Sequence, residues 1–130
     1  MTAIATRADK LGSLVKYEQG TEQGFCREVK TVTLTPTSSI GDVLYDNAGD
    51  LELVAVANTA NAEAILVDTT VYDLRPATGT VDVSMAVLVR GSAIVADKAL
   101  NYNADINTDA EILALHAVLE AAGILVRAQV

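Results

Sequence analysis

From residue 81 onward the odd positions Val81, Val83, Met85, Val87 and Val89 are apolar, while Asp82, Ser84, Ala86, Leu88 and Arg90 fall between them. A period of two predicts a strand with one buried face. Gly91-Ser92 then brings turn chemistry, and Ala93-Ile94-Val95 resumes an extended apolar run that ends at Asp97-Lys98, so a hairpin or sharp bend is expected. Thr108-Asp109-Ala110-Glu111 has the spacing of a capping box, in which the Thr108 side chain accepts from the first turn and Glu111 reaches back to the Thr108 amide. A helix over about 109–122 follows. Ile112, Leu115, Leu119 and Ala122 recur at helical spacing as an apolar stripe, expected to pack on the strand at 81–89, and Gly123 supplies the left-handed residue that stops the helix. Ile124-Leu125-Val126 reads as a strand returning to the sheet.

Upstream, residues 27–35 are rich in Val and Thr and predict a strand stopped by Pro36-Thr37-Ser38-Ser39. Residues 40–45 form a short apolar piece closed by a turn at 46–50, where Asn47 and Gly49 favour tight backbone. Residues 51–57 and 64–67 read as two further strands joined by 58–61, and 68–80, with Arg75-Pro76 and Gly79, as a connection. Six to eight short strands and one helix predict an α+β, mostly β domain over 25–130. Residues 1–24 lack a sustained period of two or 3.6 and read as an arm, flexible when free. Leu11, Leu14, Val15 and Tyr17 form an apolar cluster within it that has no evident core of its own to join. Docking on a partner surface, by strand addition or packing, is therefore expected over folding onto the body.

Composition sharpens this picture. At 130 residues the chain has the size of one domain and can bury roughly two thirds of its unfolded surface. Its apolar half is Ala, Val, Leu and Ile, with no Trp, one Phe and four Tyr, which suits a thin sheet core and leaves little aromatic surface for stacking bases or sugars. A net charge of −8 repels phosphate backbones and anionic headgroups, so neither a nucleic-acid nor a membrane partner is expected. The charge is uneven, since residues 1–30 carry +1 and the remainder −9, as suits an arm with contacts of its own. A single cysteine, Cys26, excludes an intrachain disulfide and fits a reducing cytoplasm. The opening MTAIATRADK lacks the apolar run of a signal peptide, and no window approaches the ~20 apolar residues of a membrane span, so a soluble chain made in the cytoplasm is expected.

Candidate chemistry is sparse. His116, the one histidine, sits beside Leu115 on the helix, and no nucleophile-elbow pattern accompanies it, so a packing or boundary role is the expectation. Cys26 lies between Phe25 and Arg27, where a cation lowers a thiol pKa, yet with no second cysteine and no nearby histidine it reads as a small hydrophobe entering a strand. The turn at 46–50 lacks the ligand spacing and terminal glutamate of a calcium loop. Asp97, Asp105 and Asp109 read as solvated loop charge, with Asp109 favouring the helix N-terminus. No catalytic, cofactor or metal site is expected.

The order of a long strand, VRGSAIVADKAL, a polar link, a capped helix and LEAAGILVR resembles the lambda-type bacteriophage head decoration proteins, which cement capsids. KYEQ, CREVKTVTL and IGDVLYD further upstream look like that family's arm, first strand and second strand, so the resemblance runs from about Lys16 onward. It implies a bent β-ribbon, β-clip-like, or a partly closed small barrel with the helix packed on it. It also implies a non-enzymatic virion protein that binds the exterior of an expanded phage head as a trimer, with the major capsid protein as partner. Leu11, Leu14, Val15, Tyr17, Phe25 and Arg27 are then the expected capsid contacts. Two alternatives stand beside it: a small-ligand or enzymatic module using His116, and another virion component such as a tail or adaptor subunit.

Overall fold

The computed structural model describes residues 14–18, 26–91 and 93–128. These form strands β1 (Val15–Glu18), β2 (Arg27–Leu34), β3 (Val43–Asn47), β4 (Asp50–Leu53), β5 (Ala62–Leu66), β6 (Val81–Leu88), β7 (Ala93–Ala96) and β8 (Ile124–Arg127). One turn of helix, α1 (Val71–Leu74), and the longer α2 (Asp109–Ala121) join them, with 3-10 segments at Val56–Asn61 and Asp97–Ala99. The chain is a small, mostly β fold of the α+β class.

Five strands close on themselves in the order β2-β4-β3-β5-β6, so the barrel is closed rather than partly open. β2 and β6 are paired antiparallel along their whole length, from Arg27↔Leu88 to Leu34↔Val81. The odd positions of β6 face the core as their period predicts, with Met85 and Val87 buried, but Val81 at the strand's start is 39% exposed. Leu88, expected on the open face, is also buried, as is its register partner Ile65. Alternation fails there because α2 packs over β5 and covers what is elsewhere an outer face. Between β3 and β4 the chain reverses in two residues, Ala48 and Gly49, both at positive φ, and the Gly49 amide donates to Asp46 Oδ1 at 2.7 Å.

The strand expected at 51–57 stops at Leu53. Beyond it the backbone coils into the 3-10 segment, the Asn58 amide donating to the Ala55 carbonyl and the Thr59 hydroxyl to the Val56 carbonyl. The Val56 amide is taken by Asp105 Oδ1 at 3.1 Å, so a side chain rather than a neighbouring strand satisfies it. In the 68–80 connection Asp68 Oδ1 accepts from both the amide and the hydroxyl of Thr70, a local turn that opens α1.

The second layer is a three-stranded sheet ordered β1-β7-β8, with β1/β7 antiparallel and β7/β8 parallel. The chain therefore changes sheet between β6 and β7 and makes no hairpin there. Gly91 permits it by close approach: its amide donates to the Ala122 carbonyl, and a Cβ at this position would stand 1.9 Å from the Gly123 carbonyl oxygen. Both arms of the Thr108–Glu111 capping box are formed, and Gly123, at φ 89°, follows the helix end. Leu115 and Leu119 of α2 are buried and Ile112 is half-buried, but Ala122 is exposed. The stripe packs on β8, the Val56–Asn61 segment and β5, which corrects the expectation that it covers β6.

Leu14 is 0% exposed within the common core, Val15 packs against that core, and β1 is laid along β7 from Val15↔Val95 to Glu18↔Ala93. For these residues the expectation of an arm without a core is overturned. An edge of β7 was open to receive a strand, and the chain's own segment fills it.

Candidate functional site

At one end of the barrel, β2 and β4 finish while β3 and β6 begin, and a groove of about 640 Å³ opens there. Barrel mouths are favoured places for ligand sites because the strand ends converge and the loops are free to vary. Thr33 and Thr35 of the β2 end form one wall, Glu52 and Leu53 of β4 another, and Thr80, Asn101, Tyr102 and Asn103 complete the rim, with Asp42 in the lining. Val32↔Leu51 is the one register pair between β2 and β4 among the described residues, and there the two strands, running parallel, close the barrel.

Asp42 is 6% exposed. Its carboxylate accepts from the Ser39 amide at 3.2 Å and the Ser39 hydroxyl at 3.4 Å, with a further hydrogen bond from the Asn101 side chain. Burial pushes its pKa up to about 6, against the pull of those hydrogen bonds and of the Arg75 guanidinium. Arg75 itself lies over the Tyr72 ring, 5.1 Å from its centroid, and donates to the Ser38 carbonyl at 3.0 Å. The Tyr72 hydroxyl accepts from the Ile40 amide. Asp42 thus stands where three segments meet: the 35–42 loop, the end of α1 and the link that leads to α2.

Backbone close approach holds that junction. The Gly41 amide donates to the Leu66 carbonyl and its carbonyl accepts from Asn101, while Asn101 Nδ2 donates to the Ser39 hydroxyl and the Ile40 carbonyl. A Cβ on Gly41 would lie 2.1 Å from the Ala99 carbonyl oxygen, and φ is 101°, so glycine is required twice over. Neither Asp42 nor the groove was legible as a site beforehand. The Ser-Ser-x-Gly-Asp run at 38–42 is the one signal pointing to it, a loop sequence with a carboxylate just ahead of a strand.

The residues singled out in sequence do not gather at the groove. His116 is half-buried on α2, with Nε2 enclosed and without a hydrogen-bond partner. Cys26 is fully buried at the entry to β2, where its carbonyl accepts from the Val89 amide. Of the three aspartates, Asp105 holds the Val56 amide, Asp109 opens α2, and Asp97 has Oδ1 enclosed without a partner in the 97–99 turn. Leu14 is spent in the core and Val15 against it; Tyr17 has its backbone paired with Ile94, and Arg27 opens β2. Leu11 and Phe25 lie outside the described residues.

Two carboxylates elsewhere are held below their ordinary range. At Asp68 partial burial acts upward, but hydrogen bonds from Thr70 and the Ala86 amide outweigh it. Glu111 is lowered by the Asn107 amide and the Thr108 side chain and amide of the helix cap. Among the described residues no group of three or more His, Cys, Asp or Glu has the arrangement of a metal site, and no helix is long and apolar enough to cross a membrane. Comparison with models of protein families, with curated proteins and with solved structures finds no match to this chain.

Proposed function

We propose that this chain is a capsid decoration subunit, which binds the outside of an expanded phage head and holds its shell together against internal DNA pressure. The observation that carries the reading is the run from β6 to β8. A long strand, VRGSAIVADKAL, a polar link, a capped helix and LEAAGILVR follow in a sequence order that resembles the head decoration proteins, and this run folds as strand, helix and closing strand. The mostly β body, with a β-clip-like topology as the finer expectation, suits a rigid cement whose work is contact rather than turnover. In this reading the subunit acts as a homotrimer, so several modest contacts combine by avidity, and a partner that binds only the assembled shell stabilises assembly by linkage.

The grip on the major capsid protein is assigned to residues 1–13, ahead of β1, together with the body. The +1 of the first thirty residues against the −9 of the rest favours separate contacts for the two parts. Leu14 and Val15, both among the expected capsid contacts, instead anchor the segment to its own body. The test is co-sedimentation of the full chain, and of a chain lacking residues 1–13, with expanded and unexpanded heads. Binding of the full chain to expanded heads alone, much reduced by the deletion, is the expected result. Failure of the full chain to bind either form would remove the capsid reading.

A further inference from the structure

We propose that the outward face of α2 is a self-association surface, on which a second copy of this chain packs its own α2 antiparallel across a two-fold axis. Nine of the thirteen residues of α2 are apolar, yet its inward face takes up only Leu115 and Leu119 fully, with Ile112 and Val118 in part. Apart from Asp109 and Glu120, every exposed residue of the helix is apolar: Ala110, Leu113, Ala114, Ala117 and Ala121. A helix that faces only water carries charge on that side, whereas one that is apolar on both sides is covered on both. Leu113 is the large side chain of this face, 65% exposed, and the four alanines around it are too short to shelter it.

Spacing and charge select a second copy as the occupant. Ala110 and Ala117, and likewise Ala114 and Ala121, stand seven residues apart, the repeat of helices that pack along their length. Side chains this small let two helix axes approach to about 8 Å. The set is symmetric about the middle of the helix, so an antiparallel copy places Ala110 opposite Ala121 and Ala114 opposite Ala117, and Leu113 of each chain lies over Ala117 of the other. Asp109 and Glu120, eleven residues apart, share one flank of the helix, so Asp109 of the second copy arrives beside Glu120. Arg127 waits there, 56% exposed, with Nη1 on Glu120 Oε2 at 3.2 Å and on the Val126 carbonyl. A guanidinium has five donors, so others remain for the arriving carboxylate, and the two-fold makes this pairing twice. The antiparallel arrangement also sets each helix N-terminus beside the other's C-terminus, where their partial charges attract. A face about 17 Å long and one helix wide covers well under the ~800 Å² per partner of a standard interface, so the dimer is weak and reversible, with Kd on the order of 0.1–1 mM. This contact does not rest on the capsid reading, since it pairs free chains in solution.

The experiment has two arms. Sedimentation equilibrium of the full chain from about 10 μM to about 1 mM should show a reversible monomer–dimer equilibrium. Ala117→Arg, at an exposed position in the middle of the face, should weaken it roughly tenfold or more while leaving the melting transition unchanged, and Leu113→Gln serves where the first variant does not fold. In the second arm, chains carrying Ala110→Cys are mixed with chains carrying Ala121→Cys and oxidised. The mixed pair should cross-link, whereas Ala110→Cys should not link to itself, because two copies of that position stand about 17 Å apart in the antiparallel pair, beyond disulfide reach. Cys26 is fully buried and stays out of the reaction. A chain that remains monomeric to about 1 mM would overturn the proposal. So would a dimer or trimer that Ala117→Arg and Leu113→Gln both leave intact, and either result leaves the capsid reading standing. Self-linking of Ala110→Cys ahead of the mixed pair would overturn the antiparallel arrangement. A dimer lost only when residues 1–13 are removed would move the contact to that segment and overturn the assignment to α2.

Discussion

Asp42→Asn should make this protein more stable at neutral pH, although it removes a carboxylate that accepts three hydrogen bonds. In the folded state the Asp42 pKa stands at about 6 against the ordinary 3.8. That difference corresponds to about 3 kcal/mol by which the ionised form burdens the folded state at pH 7. Asparagine is neutral, keeps one acceptor oxygen for Ser39 and offers an amide to the Ser39 hydroxyl, so the net gain is about 1–3 kcal/mol after some loss of hydrogen-bond geometry. The sign follows from proton counts. Between about pH 4 and pH 6 the folded chain holds a proton on Asp42 that the unfolded chain has lost, so wild-type stability from this group falls as pH rises through that window and is flat above it. Asp68 and Glu111, with lowered values, act in the opposite sense at lower pH, but they are common to both proteins and drop out of the difference. Urea unfolding followed by circular dichroism, at several pH values from about 4 to about 7, measures it. The advantage of D42N should be largest near pH 7 and vanish near pH 4. A variant less stable than wild type at pH 7, or a difference independent of pH, would show that the Ser39, Asn101 and Arg75 contacts outweigh burial.

Leu14→Ala should cost about 2–5 kcal/mol in the same assay, because a fully buried side chain leaves a cavity; a loss typical of a surface site would return β1 to the status of a loose arm. Gly91→Ala should cost about 2–4 kcal/mol, since the added carbon meets the Gly123 backbone rather than a side chain that can move; an unchanged urea midpoint would mean the two layers separate easily there. Ala48→Gly should stabilise by about 0.5–1 kcal/mol, as it relieves a non-glycine residue at φ 57° in a turn with open space around it; thermal unfolding reads this, and a lower melting temperature would refute it.

Local chemistry determined much of this protein directly from its sequence. The Thr108–Glu111 box, the stop at Gly123, the alternation through Met85 and Val87, and the turn at Ala48-Gly49 each depend on neighbours within a few residues. Tertiary structure decided the rest, because it turns on which surface meets which. Leu88 and Ala122 broke their patterns, one covered where α2 overlies β5 and the other left bare at the helix end. Residues 54–57 are as apolar as a strand, but past Val54, whose amide still reaches the Val43 carbonyl, the chain leaves the sheet and coils into the 3-10 segment. Leu14 was legible as an apolar residue in search of a core, yet the core it joins is built with β7 and β8, which begin at residues 93 and 124, far later in the chain. The groove is more remote still from sequence. It is lined by the ends of β2 and β4 together with residues of the 35–42 and 101–103 segments, and Asp42 is buried because loops far apart in sequence close over it. Periodicity records which face of a segment is apolar; only packing decides whether that face finds a partner, and at what distance two strands come to rest.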